Sequence, residues 1–285
     1  MSNPPKIVRA SDEQRAQLAS LLAQIQSNTA SGGDPEAFIA SVVNDRTETE
    51  LARLITQDHH VLKLKRQVRV LCNQRDPVLI SGPSGTGKEL LAKALHGMNP
   101  SNKFFAINCA GMPEKLIESE LFGHSAGAFT GANKEHIGLL RAAHNGTVFL
   151  DEIAEAPLAL QSKLLRVLQS DDNGLYTIRP VGSIDTIKVN TRILAATCKN
   201  LEDCMAAGTF REDLYGRLMT FELRMTGLSE RPNDIPLILR HLGVVELSDQ
   251  QDFYSNYWQS RVKRFNVRAL QAFARRFKVL TATED

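Results

Sequence analysis

"PVLISGPSGTGKELLAKALHG", residues 77–97, decides the fold. It opens as an apolar run to Ser81, turns through a glycine-rich stretch, and continues with apolar residues at helical spacing, so it reads as strand, turn and helix. Gly82, Gly85 and Gly87, with Pro83, Ser84 and Thr86 between them, let backbone N–H groups curl round a phosphate. The following helix adds the positive end of its dipole, and Lys88 adds a point charge for the outer phosphates. A chance glycine turn beside an incidental lysine would not bring strand, spacing and helix into agreement. The residue after Lys88 is Glu89, where most such loops carry the Ser or Thr that holds magnesium, and Thr86 is not assumed to replace it.

From about residue 56 onward, short apolar runs alternate with helical patterns, the texture of a parallel sheet with crossover helices. Further strands are expected at "FFAIN" (104–108), "TVFLD" (147–151) and "TRILAAT" (191–197), each ending in a polar or turn-forming residue. Open α/β sheets bind ligands at the carboxyl ends of their strands, so the chemistry is expected along that edge. "GTVFLDEI" (146–153) delivers two carboxylates there: Asp151, suited to organise magnesium, and Glu152, suited to polarise an attacking water. The same pair also suits the cap of a following helix, and the phosphate loop upstream favours catalysis.

Before residue 56, "SDEQRAQLASLLAQIQS" (11–27) has helical spacing, "NTASGGDP" (28–35) breaks it, and helical patterns resume from Pro35 and over "ETELARLITQ" (48–57). These helices read as a regulatory unit, a packing arm or a linker. The 285 residues, 42% hydrophobic and 23% charged, suffice for one large domain or two modest ones with a real core. With 34 basic and 32 acidic residues the net charge is +2, too small to draw the whole chain to nucleic acid or a membrane. Cys72, Cys109, Cys198 and Cys204 show no CxxC pair and no framework spacing, so reduced thiols are expected. No apolar run suits a signal peptide or a membrane span, so a cytoplasmic protein without membrane contact is expected.

"GPSGTGKE" (82–89), "FFAINCAGMPEKLIESELFGHSAGAFTGA" (104–132), "GTVFLDEI", "LQSKLLRVLQ" (160–169) and "GTFREDLYGRL" (208–218) follow one another in a telling order. Over roughly residues 56–240 the chain resembles the AAA+ domain of bacterial sigma-54-dependent transcription activators. The resemblance implies an α/β fold: a P-loop AAA+ three-layer αβα domain with a parallel central sheet over 56–232, an atypical helical lid over 233–285 and an N-terminal helical segment over 1–55. It implies ATP and Mg2+ as cofactors, with Asp151 on the metal, Glu152 activating water and Asn108 as the switch that holds the Glu152 carboxylate. It makes Arg211 and Arg217 arginine fingers acting across a subunit boundary, which requires a ring, expected to be a hexamer. From the residues alone, Asn108 is equally an ordinary polar strand end, and the two arginines ordinary surface ion-pair formers.

"GAFTGA" is Gly127, Ala128, Phe129, Thr130, Gly131 and Ala132, and it is nearly diagnostic of that family. There it tips a mobile loop that presses on the sigma factor and promoter DNA. An exposed apolar ring at Phe129, on a backbone freed by Gly127 and Gly131, is a tool for transient binding. The implied partner is the sigma-54 RNA polymerase holoenzyme, with promoter DNA contacted only through it.

Three departures stand out. Cys198, in "RILAATCKNLE" (192–202), takes the place of the family's usual sensor Asn, and Pro83 that of a usual Glu. After "LSERPNDIPLILRHL" (228–242) a WPGNVREL-like segment is expected, and the chain instead carries "WQSRVKRFNVRALQAFARRFKVLTATED" (258–285). "FNVRAL" (265–270) imitates the motif and makes Arg268 the sensor; equally, "VRALQAFARRF" (267–277) matches the helix before it. Cys198 and the altered lid keep open a nucleotide-binding regulatory protein with weak or no turnover that modulates other activators; another AAA+ remodelling ATPase is the further alternative, one with no reason to keep "GAFTGA". Neither end suggests a recognition helix, so no sequence-specific DNA binding by this chain alone is expected. His59, His60, His124, His136 and His144 lack ligand spacing, and "KLKRQVRV" (63–70) reads as a solvated basic face.

Overall fold

The computed structural model describes residues 46–97, 103–169, 174–244 and 258–281. The expected strands form: β1 (Val78–Ser81), β2 (Phe104–Asn108), β3 (Thr147–Asp151) and, after an inserted β4 (Tyr176–Ile178) and β5 (Ile187–Val189), β6 (Arg192–Thr197). An unforeseen β7 (Phe221–Arg224) joins them. The five long-range strands lie parallel in the order β2-β3-β6-β1-β7, while β4 and β5 make a separate antiparallel hairpin. β6 is buried at every position, as a strand covered on both faces must be.

Alternate strand residues feed two different cores, because side chains point to opposite faces at a period of two. Leu79, Leu150 and Ile193 join Ile117, Leu121, Leu160 and Leu214 on one side. Val78, Ile80, Phe149 and Leu194 join Val61, Leu64 and Leu91 on the other. The first layer is built by α3 (Glu114–Phe122), α5 (Leu158–Val167) and α7 (Glu212–Leu218), with α4 (Leu139–Ala142) and α6 (Leu201–Ala206) completing it. The second is built by α1 (His59–Leu71) and α2 (Lys88–His96). This is the expected three-layer α/β fold. Buried Arg192 ties the second layer together by donating to the terminal carbonyls of both helices, Leu71 O at 2.8 Å and Leu95 O at 2.7 Å.

The helical residues 46–52, assigned from sequence to an N-terminal segment, pack into this second layer: Leu51 is a core member, as is Leu54 just beyond the helix, and Thr47 Oγ1 donates to Ala94 O at 3.0 Å. The helices expected over 11–27 and from residue 35 lie outside the described residues. A third core cluster gathers Leu228, Ile235, Leu239, Val262 and Leu270 around α8 (Asp234–His241) and α9 (Lys263–Thr281). No helix among the described residues is long and apolar enough to cross a membrane.

Candidate active site

The turn after β1 folds as the glycines require. Gly85 has φ +74°, and a Cβ there would lie 2.4 Å from Phe265 O, so the position excludes any side chain. Gly87 precedes the first residue of α2, which puts Lys88 at the helix start. The Lys88 side chain is 7% exposed and folds back over the loop, donating to Gly82 O at 2.9 Å and Pro83 O at 3.3 Å. Thr86 is fully buried, and its hydroxyl donates to Pro83 O at 2.8 Å, so it braces the loop from within. Glu89 lies on the first turn of α2 and pairs with Lys93 at 2.8 Å.

The carboxyl end of β3 adjoins this loop. Glu152 takes the left-handed conformation, φ 51° and ψ 49°, uncommon for a residue with a Cβ and typical of functional positions. It lies with Oε1 4.0 Å from Lys88 Nζ and Oε2 accepting from the Cys198 N–H at 3.0 Å. Asp151 Oδ1 accepts from the Glu152 N–H at 3.0 Å. Burial, and then the neighbouring Glu152 charge, hold the Asp151 carboxyl above its ordinary range. The same surroundings push the Cys109 thiol up to about 12, burial first and the two carboxylates after it. All four cysteines are free.

The expected bond between Asn108 and Glu152 is replaced by another arrangement. Asn108 does sit level with Asp151 across the β2–β3 pairing. Its Oδ1, however, accepts from the Ala110 N–H at 2.7 Å, closing an Asx turn, while the Glu152 side chain swings toward the end of β6 and is held there by Cys198. The thiol residue that departs from the family pattern therefore contributes through its backbone, which no side-chain pattern reveals.

A cavity of about 400 Å³ is lined by Lys88, Asp151 and Glu152 together with the apolar side chains of Leu54, Ile55, Ile238 and Leu242. A lining that joins charged groups to apolar ones suits an amphiphilic phosphate ester. Arg268 and Val267 line it as well. "FNVRAL" packs against the loop after β1, with Val267 N–H donating to Gly85 O at 3.1 Å. Asp151 and Glu152 supply hard oxygen donors beside the loop, whereas the Thr86 hydroxyl is committed internally. Such a donor set fits Mg2+, which keeps most of its waters and is shared between one or two carboxylates and substrate phosphates. Among the described residues there is no cluster of three or more His, Cys, Asp or Glu side chains that could hold a metal ion.

Arg211 and Arg217 are not in this cavity. Arg211 is the exposed N-cap residue of α7, paired with Asp213 at 2.6 Å and donating to Ser162 Oγ at 3.3 Å. Arg217 is exposed in the last turn of α7. Neither serves the cavity of its own chain.

The "GAFTGA" stretch caps a loop between α3 and α4. His124 and His136 exchange backbone hydrogen bonds at its base, 3.1 and 3.0 Å, and the Gly127 N–H donates to Ala132 O at 2.8 Å. Gly127 and Gly131 have φ +82° and +100° with open space where a Cβ would stand. Phe129 departs from the fully exposed ring expected: it is half-buried, edge-on to the His124 ring with centroids 4.9 Å apart. Ala128 is covered by the inserted β4–β5 hairpin at Gly182, and Ser125 N–H donates to Val181 O at 3.0 Å. Thr130 remains exposed.

A sequence model described as the sigma-54 interaction domain matches residues 54–224. The chain belongs to this family. Among the relatives of this sigma-54 interaction domain, the transcriptional regulatory protein GlrR of Escherichia coli (strain K12) is 49% identical over 191 residues, 66% of this chain and 42% of that protein. The anaerobic nitric oxide reductase transcription regulator NorR of Klebsiella pneumoniae (strain 342) is 43% identical over 233 residues, 80% of this chain and 44% of that one. The chain thus spans less than half the length of these relatives. The crystal structure of NtrX from Brucella abortus in complex with ATP superposes with a TM-score of 0.69 at 30% identity, covering 81% of this chain and 54% of that one. The family and the parallel α/β architecture expected of an AAA+ domain are therefore both met.

Proposed function

We propose that this sigma-54 interaction domain binds and hydrolyses ATP and uses the cycle to remodel the sigma-54 RNA polymerase holoenzyme at promoters. The observation that carries the reading is the junction at the end of β3: a buried loop lysine 4.0 Å from a carboxylate held in a left-handed conformation, in a chain that also presents "GAFTGA". ATP lies with its base toward Ile55 and Ile238 and its phosphates on the loop amides and Lys88, with Arg268 beside them as the sensor. Asp151 would hold Mg2+, which would supply positive charge against the phosphates. Glu152 takes the proton of the attacking water, which displaces ADP from the γ-phosphorus. Arg211 and Arg217 act on the neighbour's nucleotide in a hexameric ring, a role supported by their exposure outside the lining of their own cavity. Asn108 relays the nucleotide state by exchanging its turn bond to Ala110 for Glu152. The loop answers by lifting Phe129 off His124 onto the sigma factor. Promoter DNA is touched only through the polymerase complex, so the chain works in the cytoplasm with it.

Cys198 supports a second reading, a nucleotide-binding regulator with little turnover, because its thiol is a poor substitute for an amide near the γ-phosphate. Phosphate release by the purified protein separates the two. The test of the leading reading is capture of the holoenzyme in the presence of ADP and a transition-state analogue of the γ-phosphoryl group. Wild type retains polymerase; Phe129→Ala does not, while hydrolysing ATP normally. Retention by Phe129→Ala, or loss of its ATPase, would make the loop structural.

A further inference from the structure

Backbone N–H groups that turn toward an anion force the carbonyls of the same peptide units outward, and buried carbonyls need donors. Three consecutive phosphate-loop carbonyls find theirs beyond residue 226. Ser84 O accepts from Asn266 Nδ2 at 3.0 Å, Gly85 O from Val267 N–H at 3.1 Å and Thr86 O from Arg231 Nη2 at 3.3 Å. Asn266 does more than donate. Its Oδ1 accepts from the Leu228 N–H at 2.7 Å, so one carboxamide joins the phosphate loop, the connection into α8 and the head of α9. It is 1% exposed, and it interrupts α9 with φ 51° and ψ −135°, a conformation that costs a non-glycine residue energy and persists only where the surroundings impose it.

The site tolerates little else. Aspartate has no donor for Ser84 O; leucine makes neither bond; glutamine adds a methylene where a Cβ on Gly227 would already stand 3.1 Å from Asn266 Oδ1.

We infer that Asn266 is a positioning residue for the ATP reaction: its carboxamide fastens the phosphate loop to the α8–α9 cluster and fixes the loop's anion-binding shape together with the placement of Arg268. The inference rests on the phosphate-site reading proposed above. Nothing in it requires Asn266 to touch the nucleotide.

The test compares wild type, Lys88→Ala, Asn266→Asp and Asn266→Gly as full chains, by binding of a fluorescent ATP analogue with Mg2+, by thermal melting and by steady-state phosphate release. Asn266→Asp keeps the size and the acceptor for Leu228 and replaces the donor to Ser84 with a buried carboxylate oxygen. It should melt below wild type, because a buried carbonyl loses its donor and a carboxylate is buried, while in the folded fraction Kd and KM for ATP rise about tenfold, the worth of one buried hydrogen bond, and kcat changes less. A purely structural role would reduce the active fraction and leave the KM of the remainder unchanged, and that result overturns the inference. Where Asn266→Asp fails to fold, Asn266→Gly relieves the positive-φ backbone and carries the comparison: weakened nucleotide binding in the folded glycine variant supports the carboxamide's role, and wild-type binding overturns it. A wild type that binds no better than Lys88→Ala instead sinks the phosphate-site reading, and the inference with it.

Discussion

Replacing Glu152 by glutamine separates binding from chemistry. The carboxylate has two anchors: the Cys198 N–H at 3.0 Å on Oε2, and Lys88 Nζ at 4.0 Å from Oε1. Glutamine keeps the length and one oxygen for Cys198, so the left-handed backbone at position 152 and the packing of the strand end are retained. What disappears is the negative charge and the basic lone pair that takes a proton from water. General-base catalysis is worth about 10²–10⁴ in rate, or about 3–5 kcal/mol of activation free energy. Ground-state affinity moves the other way, because a negative charge beside the phosphates is removed and Lys88 loses a competing anion. Phosphate release at saturating ATP should therefore fall about 10²–10⁴-fold, with affinity for a fluorescent ATP analogue equal to or tighter than wild type. Turnover within about tenfold of wild type would refute the assignment, and so would a loss of turnover that traced entirely to lost binding.

Arg217→Ala should lower turnover by about a thousandfold, the usual worth of an arginine finger, and co-assembly with Glu152→Gln subunits should restore part of it at mixed interfaces, which phosphate release from mixed rings measures. Asp151→Asn should raise the melting temperature of the nucleotide-free protein at neutral pH while abolishing Mg2+-dependent turnover. A carboxyl whose folded pKa lies above its unfolded value stabilises the fold at low pH and loses that contribution as pH rises through the folded pKa, so the gain over wild type should shrink on acidification through the carboxylate range. Asp234→Ala removes a fully buried carboxylate that accepts from Thr56 Oγ1 at 2.5 Å and the Gln57 N–H at 2.7 Å, and it strands buried Arg231, its partner at 3.1 Å. The cost should be about 3–5 kcal/mol, a drop in melting temperature of roughly 10 °C by scanning calorimetry.

The parts legible in the sequence were those set by local rules. "PVLIS" and "TVFLD" declare strands because both faces must be apolar, and the glycines of the loop declare a phosphate turn because no other residue permits its backbone. β7 was not legible: "FELR" carries Glu222 and Arg224 on an edge strand, where half the positions face solvent. The β4–β5 hairpin is three residues to a strand and is defined by contact with the "GAFTGA" loop rather than by its own pattern. Within the site, residues acting through side chains, such as Lys88 and Glu152, could be named in advance, whereas Cys198 acts through its N–H, and Asn266 through a bridge of 182 residues' separation. Phe129 could be singled out but not positioned, since its resting place depends on His124, whose ring orientation is a tertiary matter.

The most direct test of the account is promoter opening. Purified protein, sigma-54 holoenzyme and a supercoiled sigma-54 promoter are incubated with ATP, and single-stranded promoter DNA is detected by permanganate footprinting. The expected result is reactive thymines around the start site with ATP and none with ADP, lost on Glu152→Gln and on Phe129→Ala. A promoter that stays closed while the same wild-type protein hydrolyses ATP would contradict the coupling of this site to the polymerase.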